Sequence, residues 1–177
     1  MEDRKKRFEE AVMPHLDAAA NLARWLARDG AWADDIVQDA MLRAFKSLHT
    51  LRGADAKPWL MQIVRNCFRS AASARKTENI VPLPERFEEP DMSVRKADDP
   101  ESAAIAASAA RRLDALIESL PLEFRETLIL REMEDFSYRE IAEVTKVPIG
   151  TVMSRLARAR ALLRAACTKD ELTHGMQ

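Results

Sequence analysis

Residues 136 to 164, FSYREIAEVTKVPIGTVMSRLARARALLR, decide the fold. Ser137 with Glu140 three positions on is a capping box: the hydroxyl accepts from an orphan backbone N–H, and the carboxylate reaches back to the cap. Ile141, Ala142 and Val144 give the short helix that follows an apolar side. Thr145-Lys146-Val147 has room only for a tight turn. Pro148 is expected at the first position of the next helix, where a missing N–H costs nothing. Val152, Leu156, Ala159, Leu162 and Leu163 then recur at spacings of three and four, so one face is expected to be buried. Arg155, Arg158, Arg160 and Arg164 occupy the other. A short helix, a tight turn and a basic second helix make a helix-turn-helix, whose second helix enters the DNA major groove.

A basic face also describes a solvated helical hairpin. Two details favour DNA. Between Val144 and Lys169 there is no acidic residue, while Lys146, Arg155, Arg158, Arg160, Arg164 and Lys169 are basic. Gly150, Thr151 and Ser154 at the start of the second helix are small enough for close approach to a phosphate or base edge.

Working outward, the 177 residues suffice for one medium domain or two small ones, and the net charge of −1 conceals an uneven distribution. Thr77–Glu101 carries eight acids against Arg86, Arg95 and Lys96, a local charge of −5. With Pro82, Pro84, Pro90 and Pro100 and few large apolar groups it cannot bury enough to fold alone, and it reads as a linker. Scarce glycine, little strand-like alternation and abundant Ala, Leu, Arg and Glu indicate an all-α protein. The expected organisation is two small helical domains, 1–76 and 102–167, joined by the linker 77–101 and followed by a frayed tail, 168–177. Cys67 and Cys167 lie far apart, with no CxxC and no histidine nearby, so neither a disulfide framework nor a metal site is expected. No cofactor is indicated. His15, His49 and His174 are isolated and read as surface or capping residues. No apolar run reaches the ~18 residues a membrane span needs, and the basic N-terminus lacks the apolar core of a signal peptide. The expected location is cytoplasmic, without membrane insertion.

In the first domain, Phe8–Ala27 reads as a helix kinked near residue 13 by Pro14 and ended by Asp29-Gly30. A second helix is expected from about Asp34 to Leu48. Ile36, Val37, Ala40, Met41, Ala44, Phe45 and Leu48 form its core stripe, and acids in the first turn and bases in the last suit its dipole. A third runs from about Lys57 to Arg75. It has no acid, and it interleaves Lys57, Arg65, Arg69 and Arg75 with Trp59, Gln62, Asn66 and Phe68. Such a mixture suits a nucleic-acid strand, although Trp59 and Phe68 also serve as core. In the second domain, Ser102–Leu120 (with Leu113, Leu116 and Ile117 apolar) and Glu123–Met133 precede the helix-turn-helix.

Taken together, DDIVQDAMLRAF (34–45), KPWLMQIVRNCFRSAASARK (57–76) and LPLEFRETLILREMEDFSYREIAEVTKVPIGTVMSRLARARALL (120–163) resemble the extracytoplasmic-function class of bacterial sigma factors, the promoter-specificity subunits of RNA polymerase. The resemblance runs from about Phe8 to Arg164. It implies that Asp35, Gln38, Asp39, Leu42 and Arg43 dock on the β′ clamp helices of core RNA polymerase. It implies that Arg52, Lys57, Trp59, Gln62, Arg65, Asn66 and Arg69 read the −10 element, with Asn66 helping to capture an unstacked base in a preformed pocket. Thr151, Met153, Ser154, Arg155, Arg158 and Arg160 would face the −35 element. Met153 stands where some relatives carry a basic residue. A thioether touches a thymine methyl but cannot make arginine's bidentate guanine contact. The acidic linker resembles the segment that threads the RNA-exit path, where its charge would mimic nucleic acid. Regulation is expected from a separate anti-sigma factor. Redox control through Cys67 is not expected, since no resolving cysteine lies nearby.

The competing reading is a stand-alone helix-turn-helix regulator. It has no use for the basic, aromatic helix of the first domain, and it usually needs a dimer to read two half-sites. An enzyme acting on nucleic acid would need clustered carboxylates or metal ligands. The acids here lie in helix first turns and the linker, so no catalytic residue is assigned.

Overall fold

In a computed structural model the backbone of residues 2–53, 55–77 and 100–174 is described, with side chains for all of these except 76–77, 100–106 and 169–174. Most of the acidic linker lies outside the described residues. Among the described residues eight α-helices follow in order: α1 Glu2–Ala11, α2 Leu16–Ala27, α3 Gly30–Ser47, α4 Lys57–Thr77, α5 Pro100–Ser119, α6 Leu122–Glu132, α7 Tyr138–Thr145 and α8 Ile149–His174. Short 3-10 turns at Met13–His15 and Leu48–Thr50 join the first of them.

The expected kink is a full break. Pro14 falls in the first 3-10 turn, which separates α1 from α2, because proline lacks the N–H that a continuous helix would use there. The next boundary differs from the expectation. Arg28, at φ 58°, takes the left-handed cap of α2 and donates to the Arg24 carbonyl, and Asp29 at once caps α3 by accepting from the Trp32 N–H at 2.7 Å. Two caps in succession leave no loop, so Gly30 begins α3 instead of ending α2. Asp34 and Asp35 therefore fall in the second turn, and the first turn of α3 holds no acid.

α2, α3 and α4 pack together around Leu22, Leu26, Ile36, Ala40, Leu60 and Val64. Trp32 and Phe68 stack within this core at 5.3 Å between centroids, with the Arg75 guanidinium 4.1 Å above Trp32. α1 buries nothing fully. It is held by Phe8 edge-on to Phe45, and by Arg4, which lies over the same ring and donates to the Phe45 and Lys46 carbonyls.

The second unit packs α8 on α6 and α7. The capping box on α7 forms in full: the Glu140 N–H donates to Ser137 Oγ, and the Ser137 N–H to the Glu140 carboxylate at 2.7 Å. The Ser137 hydroxyl also donates to that carboxylate at 2.6 Å, and this bond first, the one from the Ser137 N–H second, holds the Glu140 carboxyl below its usual range. Lys146, at φ 57°, makes the left-handed turn and donates to the Ala142 carbonyl. Pro148 stands one position ahead of α8, its carbonyl accepting from the N–H groups of Thr151 and Val152.

Val152, Leu156 and Ala159 are buried as expected, whereas Leu162 is 45 % exposed. Arg160 meets Glu132, the last residue of α6, so beyond that point α6 offers nothing to cover α8. α8 nevertheless continues to His174, through most of the segment expected to be frayed. Leu113, expected in the core stripe of α5, is 47 % exposed, while Ile117 and Leu120 are buried. The two units also pack on each other, α2 against α6 and α4 against α7, and their buried apolar residues form one continuous cluster.

Candidate nucleic-acid and partner interfaces

Three surfaces collect the residues singled out from the sequence. On α3, positions 35, 38, 39, 42 and 43 share a 3–4 spacing and form one stripe on the side away from Ile36, Ala40 and Ala44. Asp35, Gln38, Leu42 and Arg43 are exposed and Asp39 is half-buried. Arg43 grips Asp39 through two contacts, Nε to Oδ1 at 3.1 Å and Nη2 to Oδ2 at 2.9 Å. Leu42 sits 57 % exposed among these charges. An exposed leucine rimmed by fixed charges is the anatomy of a protein-docking patch. Beneath it lies Cys67, buried in α4, with its thiol pushed up to about 11 by burial and, against the pull of Arg43, by the Asp39 carboxylate. It is a packing residue rather than a reactive one.

On α8, the buried Val152, Leu156 and Ala159 turn the opposite face outward. Met153, Ser154 and Arg158 are exposed; Thr151, Arg155 and Arg160 are half-buried. A Cβ placed on Gly150 would meet nothing within 4 Å, so the start of the helix is open. The six residues are not equivalent. The Ser154 hydroxyl donates to the Thr151 carbonyl at 3.0 Å. Arg160 donates to Glu132 at 2.6 Å and braces α8 to α6. Arg155 turns inward, its Nη1 buried with no hydrogen-bond partner. Met153 and Arg158 are the side chains presented most openly.

On α4, the structure separates the seven residues. Arg52, in the preceding loop, and Asn66 are exposed; Trp59 is half-buried, its indole N–H donating to Thr50 Oγ1 at 3.2 Å. The other four face the C-terminal helices. Lys57 Nζ donates to the Glu134 carbonyl at 2.9 Å, pairs with its carboxylate at 3.0 Å and lies 5.3 Å from the Phe136 ring centre. Gln62 reaches the Glu143 carbonyl at 3.4 Å. Arg65, 6 % exposed, pairs with Glu126 at 2.5 Å, and Arg69 Nη2 stands 3.8 Å from the other oxygen of that carboxylate. Burial raises the Glu126 carboxyl above its usual range, and Arg65 opposes that shift.

The acidic partners on this inner surface were not legible as functional residues. Glu126 and Glu134 are both buried, and Asn21 of α2 donates to Glu134 at 2.7 Å. Arg125 donates to the Glu118 carbonyl at 2.7 Å and at 3.5 Å to the Leu26 carbonyl across the boundary; burial lowers its pKa to about 10. In sequence Arg125, Glu126 and Glu134 are ordinary charged residues in or just after a short helix, and only their burial distinguishes them.

Two family models match the chain: sigma-70 region 2 over residues 11–78 and sigma-70 region 4 over residues 110–163. The chain is 32 % identical over 165 residues to a protein of Haemophilus influenzae named ECF RNA polymerase sigma-E factor, covering 90 % of this chain and 86 % of that one. It is 34 % identical over 161 residues to the ECF RNA polymerase sigma factor EcfG of Rhodopseudomonas palustris, covering 90 % and 83 %. Among solved structures, the sigma factor RpoE of Bartonella quintana, crystallised with the anti-sigma factor NepR, superposes with a TM-score of 0.76 at 25 % identity over 95 % of this chain and 98 % of that one.

Proposed function

The chain belongs to the extracytoplasmic-function class of RNA polymerase sigma factors, and from that premise we propose how its surfaces divide the work. The unit 1–76 docks on core RNA polymerase through the α3 stripe of Asp35, Gln38, Asp39, Leu42 and Arg43. Arg52 and the α4 residues Lys57, Trp59, Gln62, Arg65, Asn66 and Arg69 meet the −10 element. The unit 102–167 meets the −35 element through Thr151, Met153, Ser154, Arg155, Arg158 and Arg160, and 77–101 links the two. Chemically the protein is a positioning device: it converts core polymerase binding into promoter recognition and melting, and it carries no bond-breaking centre. It acts in the cytoplasm, where the polymerase is. A separate anti-sigma factor controls it, by analogy with the Bartonella relative crystallised with NepR. No helix among the described residues is long and apolar enough to cross a membrane.

One observation carries this reading. A docking stripe on α3, a cationic face on α4 and a capped helix-turn-helix occur in one chain that aligns with sigma factors over nine-tenths of its length. A stand-alone regulator gives no reason for the first two. The test is binding of the purified chain to bacterial core RNA polymerase, with Asp35→Ala and Gln38→Ala alongside. Tight binding weakened by both substitutions is expected. Failure to bind core, with sequence-specific binding to duplex DNA alone, would overturn the assignment in favour of a stand-alone regulator.

A further inference from the structure

The connection between α3 and α4 holds one aromatic ring in place. Leu48 and Leu51, 2 % and 8 % exposed, fasten the 3-10 turn Leu48–Thr50 to the core from either side, and the Leu51 N–H closes it on the Leu48 carbonyl at 3.2 Å. Side-chain hydroxyls then finish the end of α3. Ser47 Oγ donates to the Arg43 carbonyl at 2.7 Å, and Thr50 Oγ to the Ser47 carbonyl at 2.8 Å. A threonine hydroxyl has a single proton, and here it goes to Ser47. What Thr50 offers its surroundings is therefore an acceptor, and the Trp59 indole N–H donates to it at 3.2 Å. That N–H is the only hydrogen-bonding group an indole has.

We propose that Thr50 is a positioning residue of the −10 site: it withholds the Trp59 N–H from DNA and fixes the ring so that its face receives an unstacked base. This rests on the reading of Trp59 and Asn66 as −10 residues. The two stand on one side of α4, two helical turns and about 10 Å apart along its axis. Trp59 is half-buried and Asn66 exposed. A ring face takes any base by stacking, because every base has a π-face. The amide of Asn66 has donors and an acceptor for a base edge. The work is thus divided: Trp59 supplies affinity without regard to sequence, and Asn66 supplies discrimination. Without the Thr50 hydroxyl the indole turns about its own side-chain torsions, and each capture has to order it again.

The test assembles the full chain with bacterial core RNA polymerase and follows anisotropy of a short fluorescein-labelled single-stranded oligonucleotide of mixed sequence, with core alone as the baseline. In the isotope-labelled free chain, the indole N–H resonances report the hydrogen bond, and that of Trp59 is identified by its loss in Trp59→Phe. Thr50→Val keeps the branched shape and removes the hydroxyl; Thr50→Ser keeps the hydroxyl. Thr50→Val should move the Trp59 resonance toward that of a water-exposed indole. Trp25 and Trp32, in α2 and α3, should keep theirs, which separates a lost hydrogen bond from a lost fold. Oligonucleotide binding should weaken by about two- to tenfold, the effect of having to order one more side chain. Thr50→Ser should match the parent in both readouts. Trp59→Ala should weaken binding by roughly tenfold. In that background Thr50→Val should add nothing, since a residue that acts through another has no effect once the other is gone. An unmoved Trp59 resonance in Thr50→Val, a moved resonance with unchanged binding, a Thr50→Ser that behaves like Thr50→Val, or a loss that persists in Trp59→Ala would each overturn the proposal. Trp59→Ala binding as tightly as the parent would overturn the reading of Trp59 as a −10 residue, and the positioning role with it.

Discussion

Leu156→Ala reads the coupling of the two halves directly. Leu156 is 1 % exposed and sits in the stripe that seats α8 on α6 and α7. Truncating a leucine so enclosed removes its transfer free energy and leaves a cavity, at a cost of about 3 kcal/mol within a usual range of roughly 2–5. With a urea dependence of about 2 kcal/mol per molar for a chain of this size, the midpoint should fall by ~1.5 M. The natural chromophores report on separate halves: all three tryptophans, Trp25, Trp32 and Trp59, precede the linker, and the single tyrosine, Tyr138, follows it. If the buried pairs and the continuous apolar cluster join the halves, tryptophan fluorescence and far-ultraviolet circular dichroism should fall together in Leu156→Ala, although every tryptophan belongs to the other half. Adding Glu126→Gln should then separate the two transitions. A tryptophan midpoint unmoved by Leu156→Ala, beside a biphasic dichroism curve, would show that the halves unfold independently and refute the reasoning.

Three further outcomes are expected. Ser137→Ala should cost about 1 kcal/mol by removing the α7 cap. Because Glu140 titrates below the ordinary carboxylate range through its bonds to Ser137, its contribution is present above that range and lost as pH falls through the depressed value, so variant and parent should converge in acid. Arg158→Ala should weaken binding to duplex −35 DNA and reduce the salt slope by roughly one; an unchanged slope removes Arg158 from the phosphate contacts. In the native chain a thiol reagent at pH 8 should label Cys167, which is exposed, and spare Cys67, whose pKa of about 11 leaves about one thiolate in a thousand; rapid labelling of both would contradict the packing of α4 against α3.

The parts of the fold visible in the sequence are those set within a few residues. The capping box needs Ser137 and Glu140 three positions apart, and the break at Pro14 needs one missing N–H. The outward stripe on α3 follows from helical spacing alone, as does the basic face of α8. The misreadings fall at junctions. Asp29-Gly30 is a helix end by composition, yet Arg28 takes the left-handed cap and frees Asp29 to start the next helix. Leu162 continues an apolar repeat, but its burial depended on α6 reaching that far, and α6 stops at Glu132.

The sequence by itself determined an all-α chain, the two families of surface and the family to which the chain belongs, because spacing and composition encode each locally. Tertiary structure alone decided what those surfaces touch. Arg125 to Leu130 are all buried, so α6 shows no polar face from which a special role for Glu126 could be read. The partner of Glu126, Arg65, lies 61 positions away across the acidic linker. In sequence a glutamate in a helix is a solvated charge; only the approach of α4 and α8 makes this one a buried counter-ion, because burial and charge pairing are properties of the assembled halves.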